Sequence, residues 1–278
     1  MIKGFDYAAD RPPTPALVSA RAGFVLRYVS TPGNPKNLSA GEAQELHAAG
    51  IPIGLVYETT ADWMLGGFSA GQLASGPARA QATALGFPPS LPIYAAADFG
   101  ATTDQVAAVL AALSGWETAG NLRNPVGVYG GLAVVQAACD RSIPAIQTDA
   151  WSSGQWDERA RIRQSGQDVI DGVSVDVDLA PGYDLGLWMP PVPTWQGRPF
   201  TYAPDKPLIT GSDVERWQQR MADRGWTIAV DGEYGEQSWT VCTGFQTEFH
   251  IDPPPGLVID GDVGLHTWTA AWAIPISL

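Results

Sequence analysis

The chain has little of what metal and thiol chemistry needs. Its 278 residues include three histidines, His47, His250 and His266, and two cysteines, Cys139 and Cys242. No His stands at ligand spacing from another His or a Cys, which argues against a zinc centre, and two distant cysteines read as free thiols rather than a disulfide framework. Basic residues are also scarce: 16 Lys and Arg stand against 29 Asp and Glu, a formal charge of −13. Nucleic acid and anionic membranes recruit Lys and Arg, so neither is an expected partner. No stretch approaches the roughly 18 uninterrupted apolar residues of a membrane-spanning helix. The opening MIKGFDYAAD has no apolar core before its Asp and does not read as a secretory signal. The segment FDYAADRPP lacks the glycines of a phosphate turn, so no nucleotide is expected, and neither metal nor other cofactor is called for.

What the chain does have is a series of short apolar runs that end in polar residues. In the stretch 91–100, LPIYAAADFG, a Pro-bounded run delivers Asp98 just before a glycine. Such a run reads as a buried strand of a parallel sheet, and the carboxyl ends of these strands are where α/β folds place chemistry. The same arrangement recurs at 2–7 with Asp6, at 23–29 with Arg27 and Tyr28, and at 51–57 before Glu58. It continues at 126–129 with Tyr129 and at 143–147 with Gln147 ahead of Trp151. A weaker run at 160–164 carries Gln164, and one at 173–177 presents Asp176 and Asp178 on one face. Helical segments fall between most of them, two with capping spacing at Ser39/Glu42 and Thr102/Gln105. Eight strands alternating with helices predict a parallel α/β fold closed as a (β/α)8 TIM-like barrel over residues 1–190, with an open doubly wound sheet as the alternative.

In such a barrel Asp6, Glu58, Asp98 and Asp176 project at one rim, with Arg27, Tyr28, Tyr129, Gln147, Trp151 and Gln164 around them. Crowded carboxylates repel, so at least one should hold a proton near neutrality. An acid, a second carboxylate and aromatics for stacking on sugar faces are the equipment of glycoside cleavage. The structural alternatives are plain: Asp98 as a helix cap, the aromatics as rim packing, Arg27 as the counter-ion of Asp6, and Asp178 as a structural carboxylate.

The motifs GFDYA, the YE after strand three, IYAAADFGAT, GVYGG, QTDAWS and VDVDLA, in that order, resemble the glycoside-hydrolase-like domain of actinobacterial proteins and their phages, which is similar to the family 25 lysozymes. The resemblance covers about residues 1 to 190 and implies a barrel with Asp6, Glu58, Asp98 and Asp176 as its site. It also exposes a departure. Family 25 lysozymes carry Asp-x-Glu after strand four, with the Glu as proton donor, whereas this chain reads Asp98-Phe99-Gly100. Glu58, on the neighbouring strand beside Asp98, is the expected replacement donor. Otherwise the barrel binds glycan without cutting it.

Residues 191–207 are rich in Pro and read as a semi-rigid linker. Beyond it, VDGEYGEQSW at 230–239 is echoed by IDGDVGLHTW at 259–268. Each copy predicts a tight Asp-Gly turn, with Ser238 or Thr267 capping or opening the next helix. Neither copy has the alternate acidic ligands and closing Glu of an EF-hand. With Phe245-Gln246 between the copies, residues 208–278 resemble the small three-helix peptidoglycan-binding domain at the ends of many cell-wall hydrolases. Residues 208–272 hold 3 basic and 10 acidic side chains, so wall binding would rest on shape, hydrogen bonds and aromatic contact. The combined expectation is a monomeric, phage-type endolysin that cuts peptidoglycan glycan strands as a muramidase does. It would wait in the host cytoplasm until lysis and then act on the cell wall.

Overall fold

The apolar runs form strands that close on one another in sequence order. In the computed structural model β1 (Ile2–Asp6), β2 (Phe24–Val29), β3 (Ile53–Tyr57), β4 (Ile93–Ala96), β5 (Val126–Gly130), β6 (Ala145–Thr148), β7 (Ile162–Ile170) and β8 (Val173–Ala180) make a closed eight-stranded barrel. The structure describes residues 1–119, 124–251 and 256–277. Helices α1 (Thr14–Ser19), α2 (Ala40–Ala48), α3 (Gly67–Leu85), α4 (Thr103–Thr118) and α5 (Leu132–Cys139) alternate with the strands up to β6, giving the mixed α/β, TIM-like architecture that the apolar runs imply.

One expectation fails. The barrel is parallel from β1 through β7, but β8 runs antiparallel to both β7 and β1. Asp171 and Gly172 carry φ of +49° and +80° and link Ile170 directly to its partner Val173. Two left-handed residues suit a two-residue hairpin, which returns the chain antiparallel without a crossover helix. Between Gln164 and Gln167 the register slips, because three steps along β7 match two along β8, and Gly166 at φ +87° takes up the extra residue.

The barrel has two apolar layers, as the period of two requires. Ile2, Phe24, Leu26, Val56, Tyr94, Ala96, Ile146, Ile162 and Ala180 pack together in its interior, while Phe5, Val25, Leu55, Ala95 and Val128 join the helices outside. After β8 the chain crosses the N-terminal end of the parallel strands: the Tyr94 hydroxyl donates to Leu185 O at 2.9 Å, and Trp188 exchanges two backbone bonds with Ile53. Outside, α3 and α4 touch backbone to backbone, since a Cβ on Gly71 would lie 1.8 Å from Ala112 O. At α2 the Ser39 hydroxyl accepts from Glu42 N, but the Glu42 carboxylate is taken by Arg27 and Arg11 and closes no capping box; at α4 the Thr102/Gln105 box is complete.

Residues 190–277 form a second compact unit, separate from Met1–Met189. It holds α6 (Ser212–Asp223), α7 (Glu236–Glu248) and α8 (Leu265–Ala273), with two short strands, β9 (Ile209–Thr210) and β10 (Glu233–Tyr234). Part of the Pro-rich stretch expected as a linker is built into this unit. Phe200 is fully buried, pairs its backbone with Val263, and packs on Tyr234 and Trp268. The two Asp-Gly turns are clamped alike. Gln218 accepts from the amides of Asp231 and Gly232 and donates to Asp231 Oδ1 at 2.8 Å and Ser238 Oγ at 3.0 Å. Gln246 accepts from Asp260 and Gly261 and donates to Asp260 Oδ1 at 2.8 Å and Thr267 Oγ1 at 3.2 Å. Ser238 and Thr267 therefore sit inside their helices as partners of a buried glutamine, and glycines 235 and 264 occupy the caps instead.

Candidate active site

Asp6, Tyr28, Glu58, Asp98, Tyr129, Gln164 and Asp176 come together around one pocket of about 100 Å³, floored by Leu26, Val56 and Ala96. Asp6, Tyr28, Glu58, Asp98 and Tyr129 stand at or just beyond the ends of their strands, whereas Gln164 and Asp176 project from within the β7–β8 hairpin.

Asp6 is the best held of the carboxylates. Its Oδ1 accepts from the Tyr28 hydroxyl at 3.1 Å and its Oδ2 from Gln164 Nε2 at 2.7 Å, while Gln164 Oε1 accepts from the Tyr129 hydroxyl at 2.7 Å. Burial outweighs these donors and, helped by the charge of Asp176, pushes the Asp6 carboxyl up to about 6. Asp98 is only half-buried. Burial raises it first and the charge of Glu58 second, and its carboxyl makes no hydrogen bond or ion pair among the described residues. Asp176 accepts from Gln167 Nε2 at 3.0 Å. By simple alternation Gln167 would face away from Gln164; the bulge turns it back toward the same side.

Glu58, the donor expected from the motif pattern, lines the pocket but is held in an ion pair. Glu58 Oε2 lies 2.6 Å from Lys36 Nζ, and the ammonium also sits 5.0 Å from the Tyr28 ring centroid. Lys36 is not among the residues that the strand-end pattern points to. It lies in the loop after β2, which folds back along that strand through the Tyr28–Asn37 bridge and the Leu38 N to Tyr28 O bond. Its one clue in the sequence is a single lysine in TPGNPKN at the end of a barrel strand.

Three residues expected at the site do not line the pocket. Arg27 lies between inward-facing Leu26 and Tyr28, so it points to the helix side, where it is 0% exposed. There it pairs with Glu42 at 2.6 Å and donates to the carbonyls of Tyr7, Ala8 and Lys36, fixing the loops around the pocket; its charge is the weakest of the influences on Asp6. Gln147 likewise faces outward from β6, donating to Ser152 Oγ and Gln155 O and accepting from Asp157 N. Trp151 is in a short 3-10 turn with its ring over Gly100, and its own Cβ and carbonyl pack on Gly131.

The interior also contains a carboxylate whose sequence context suggests only a structural role. Asp178 is 0% exposed, and neither of its oxygens has a hydrogen-bond partner among the described residues. Burial, then the charges of Asp6 and Asp176, push its carboxyl far above the usual range. Among the described residues no group of His, Cys, Asp and Glu is arranged to hold a metal ion.

The family described as Rv2525c-like, glycoside hydrolase-like domain matches residues 15–180. The chain belongs to that family. It is 31% identical over 200 residues to the protein named Putative peptidoglycan hydrolase Rv2525c of Mycobacterium tuberculosis, covering 66% of this chain and 82% of that one. The crystal structure of the Tat-secreted Rv2525c with L-tartrate superimposes with a TM-score of 0.61 at 28% identity, over 67% of this chain and 98% of the other. Its HEPES complex gives 0.61 at 29%. Secretion of that relative overturns the expectation of a protein held in the host cytoplasm until lysis: the family evidence points to export.

Proposed function

We propose that the barrel is a glycoside hydrolase acting on the glycan strands of bacterial peptidoglycan, at the bond a muramidase cuts. The observation that carries this reading is the pocket itself: four carboxylates converge there, and one of them, Asp98, is raised, half-open and without a hydrogen-bond or ion-pair partner among the described residues. Asp98 is the proton donor to the leaving oxygen, replacing the Glu58 that the motif pattern favours, because Glu58 is engaged by Lys36. Asp6, oriented by Tyr28 and Gln164, is the carboxylate that supports positive charge developing on the sugar ring. Asp176 and the Lys36–Glu58 pair shape the charge of the pocket mouth.

The three-helix unit is the wall-binding part of this proposal, with peptidoglycan as its ligand. A barrel that cuts glycan joined to a unit that holds it is the composition an endolysin needs. A second reading, a wall-binding barrel that does not cut, is favoured by Gly100, where the lysozyme proton donor would stand and where the Trp151 ring instead covers the backbone. Mass spectrometry of purified peptidoglycan after incubation separates the two. New reducing ends that disappear in Asp98→Asn support the hydrolase, and unaltered glycan with retained pull-down supports the binder.

A further inference from the structure

Trp151 is 37% exposed, yet its place is fixed from both sides. Asp149, two residues before it, is gripped by Arg163 through two bonds of 3.0 Å. Ser152, next after it, is buried, and its hydroxyl donates to Thr148 O and accepts from Leu132 N and Gln147 Nε2. The Cβ of the tryptophan rests on Gly131, and its Cδ1, Cγ and Nε1 all lie within 3.6 Å of where a Cβ on Gly100 would stand. The outward-facing Gln147 thus has a use, as an anchor of the turn that carries the indole.

An exposed indole held in this way is pre-organised for a ligand, because its freedom to rotate is already lost. Trp116, Trp239 and Trp268 direct their N–H groups to backbone carbonyls, whereas the N–H of Trp151 makes no hydrogen bond among the described residues. The chemistry beside it selects the ligand. Asp98 stands two residues from Gly100, no more than about 7 Å along the chain, and its carboxyl also lacks a partner among the described residues. An apolar protein segment laid on the indole would bury that carboxyl without a donor. A pyranose would not: its C–H face suits an aromatic ring, and its hydroxyls can serve both unused groups.

The closed strand order decides which sugar this is. In a ring of eight, β5 stands opposite β1, and the indole bridges Gly131 just after β5 and Gly100 after β4. Trp151 is therefore across the mouth from Asp6, with Asp98 on its own side. Asp6 supports the sugar ring that is left behind and Asp98 protonates the oxygen that departs, so the sugar beyond Asp98 is the departing one. We propose that Trp151 is the platform for that leaving-group sugar, stacking on its ring face and donating its N–H to one of its oxygens. Which sugar it holds rests on the hydrolase reading, but that it holds one does not, so either can fail alone.

A nitrogen-15 NMR titration of the full chain with soluble, peptide-free glycan strands follows the Trp151 indole N–H, assigned as the signal missing in Trp151→Phe. Asp98→Asn serves as a second host, in which the strands stay whole. The expected result is a signal that moves as strands are added to either protein. A signal that stays in place overturns the proposal, whether or not the strands are cut. A signal that moves in an unmutated protein that cuts nothing leaves the platform standing and sinks the hydrolase reading. Where strands are cut, Trp151→Ala should raise KM by about tenfold and lower kcat by less, and Trp151→Phe, which keeps an aromatic face, should recover most of the difference. A fall in kcat with KM unmoved would mean that the ring acts in the chemical step alone, and would overturn the platform.

Discussion

The aspartates of the barrel interior and Asp231 and Asp260 of the tail turns meet different hydrogen-bonding surroundings. Asp231 and Asp260 each accept at Oδ1 from a backbone amide two residues on and from a buried glutamine, and backbone bonding above all holds Asp231 below the usual carboxylate range. Among the described residues Asp98 and Asp178 have no side-chain hydrogen bond, and Asp6 has too few donors to offset its burial. Carboxylates that serve the fold are supplied with donors to satisfaction. Those left short are the ones free to take a proton or address a substrate, and each carries an energetic penalty that a purely structural role would not require.

The sharpest test of that contrast is Asp98→Asn. It should lower glycan cleavage by about 1,000-fold, within the usual range for loss of a general acid, without lowering the melting temperature near neutral pH. Reducing-end release and a thermal melt on the same preparation check both halves.

Asp6→Asn tests the penalty itself. The folded carboxyl ionises at about 6 and an unfolded one near 3.9, so this group favours the fold below about pH 4, and that contribution is lost as pH rises through 6. Above pH 6 the ionised group destabilises the fold by on the order of 3 kcal/mol. Asparagine removes the titration. The variant should be the more stable protein at pH 8, the difference should shrink toward pH 4, and denaturant midpoints at the two pH values measure it.

Gln246→Ala should do the reverse of Asp98→Asn. It strips the acceptor from the Asp260 and Gly261 amides and should destabilise the second unit by about 2 kcal/mol while leaving cleavage of a soluble glycan fragment intact. A drop in only one of two unfolding transitions is the expected signature. The smallest effect belongs to Lys36→Met, which keeps the stem over Tyr28 and removes the ammonium from Glu58. It should lower kcat/KM by about tenfold, or roughly 1.4 kcal/mol of transition-state stabilisation.

The strands whose chemistry is legible in the sequence are those buried on both faces. Their continuous apolar runs mark both the strand and its polar end, and so Asp6, Glu58 and Asp98 can be located from the residue pattern alone. β7 escapes that logic because IRQSGQDVI is polar along much of its length, as an antiparallel hairpin strand can be, and the sign of such a hairpin is instead the short Asp171-Gly172 turn. Nearness to a strand end, taken by itself, puts Arg27 and Gln147 in the pocket. Parity corrects this, since residues flanking inward-facing Tyr28 and Ile146 must point outward. Gln167 and Lys36 are not legible, one because a bulge breaks the period of two, the other because a loop fold sets its reach.

The Trp151 ring over Gly100 also makes two positions of the chain answerable to each other. A Cβ at residue 100 would meet Trp151 Cδ1 at 3.0 Å, while the stem of that tryptophan is pressed against Gly131. A lone Gly100→Glu exchange therefore lands on a surface already occupied, and a lone loss of the indole leaves a bare glycine. A glutamate at residue 100 therefore asks the indole at residue 151 to give way, so the two positions form one unit of the pocket rim rather than two independent ones.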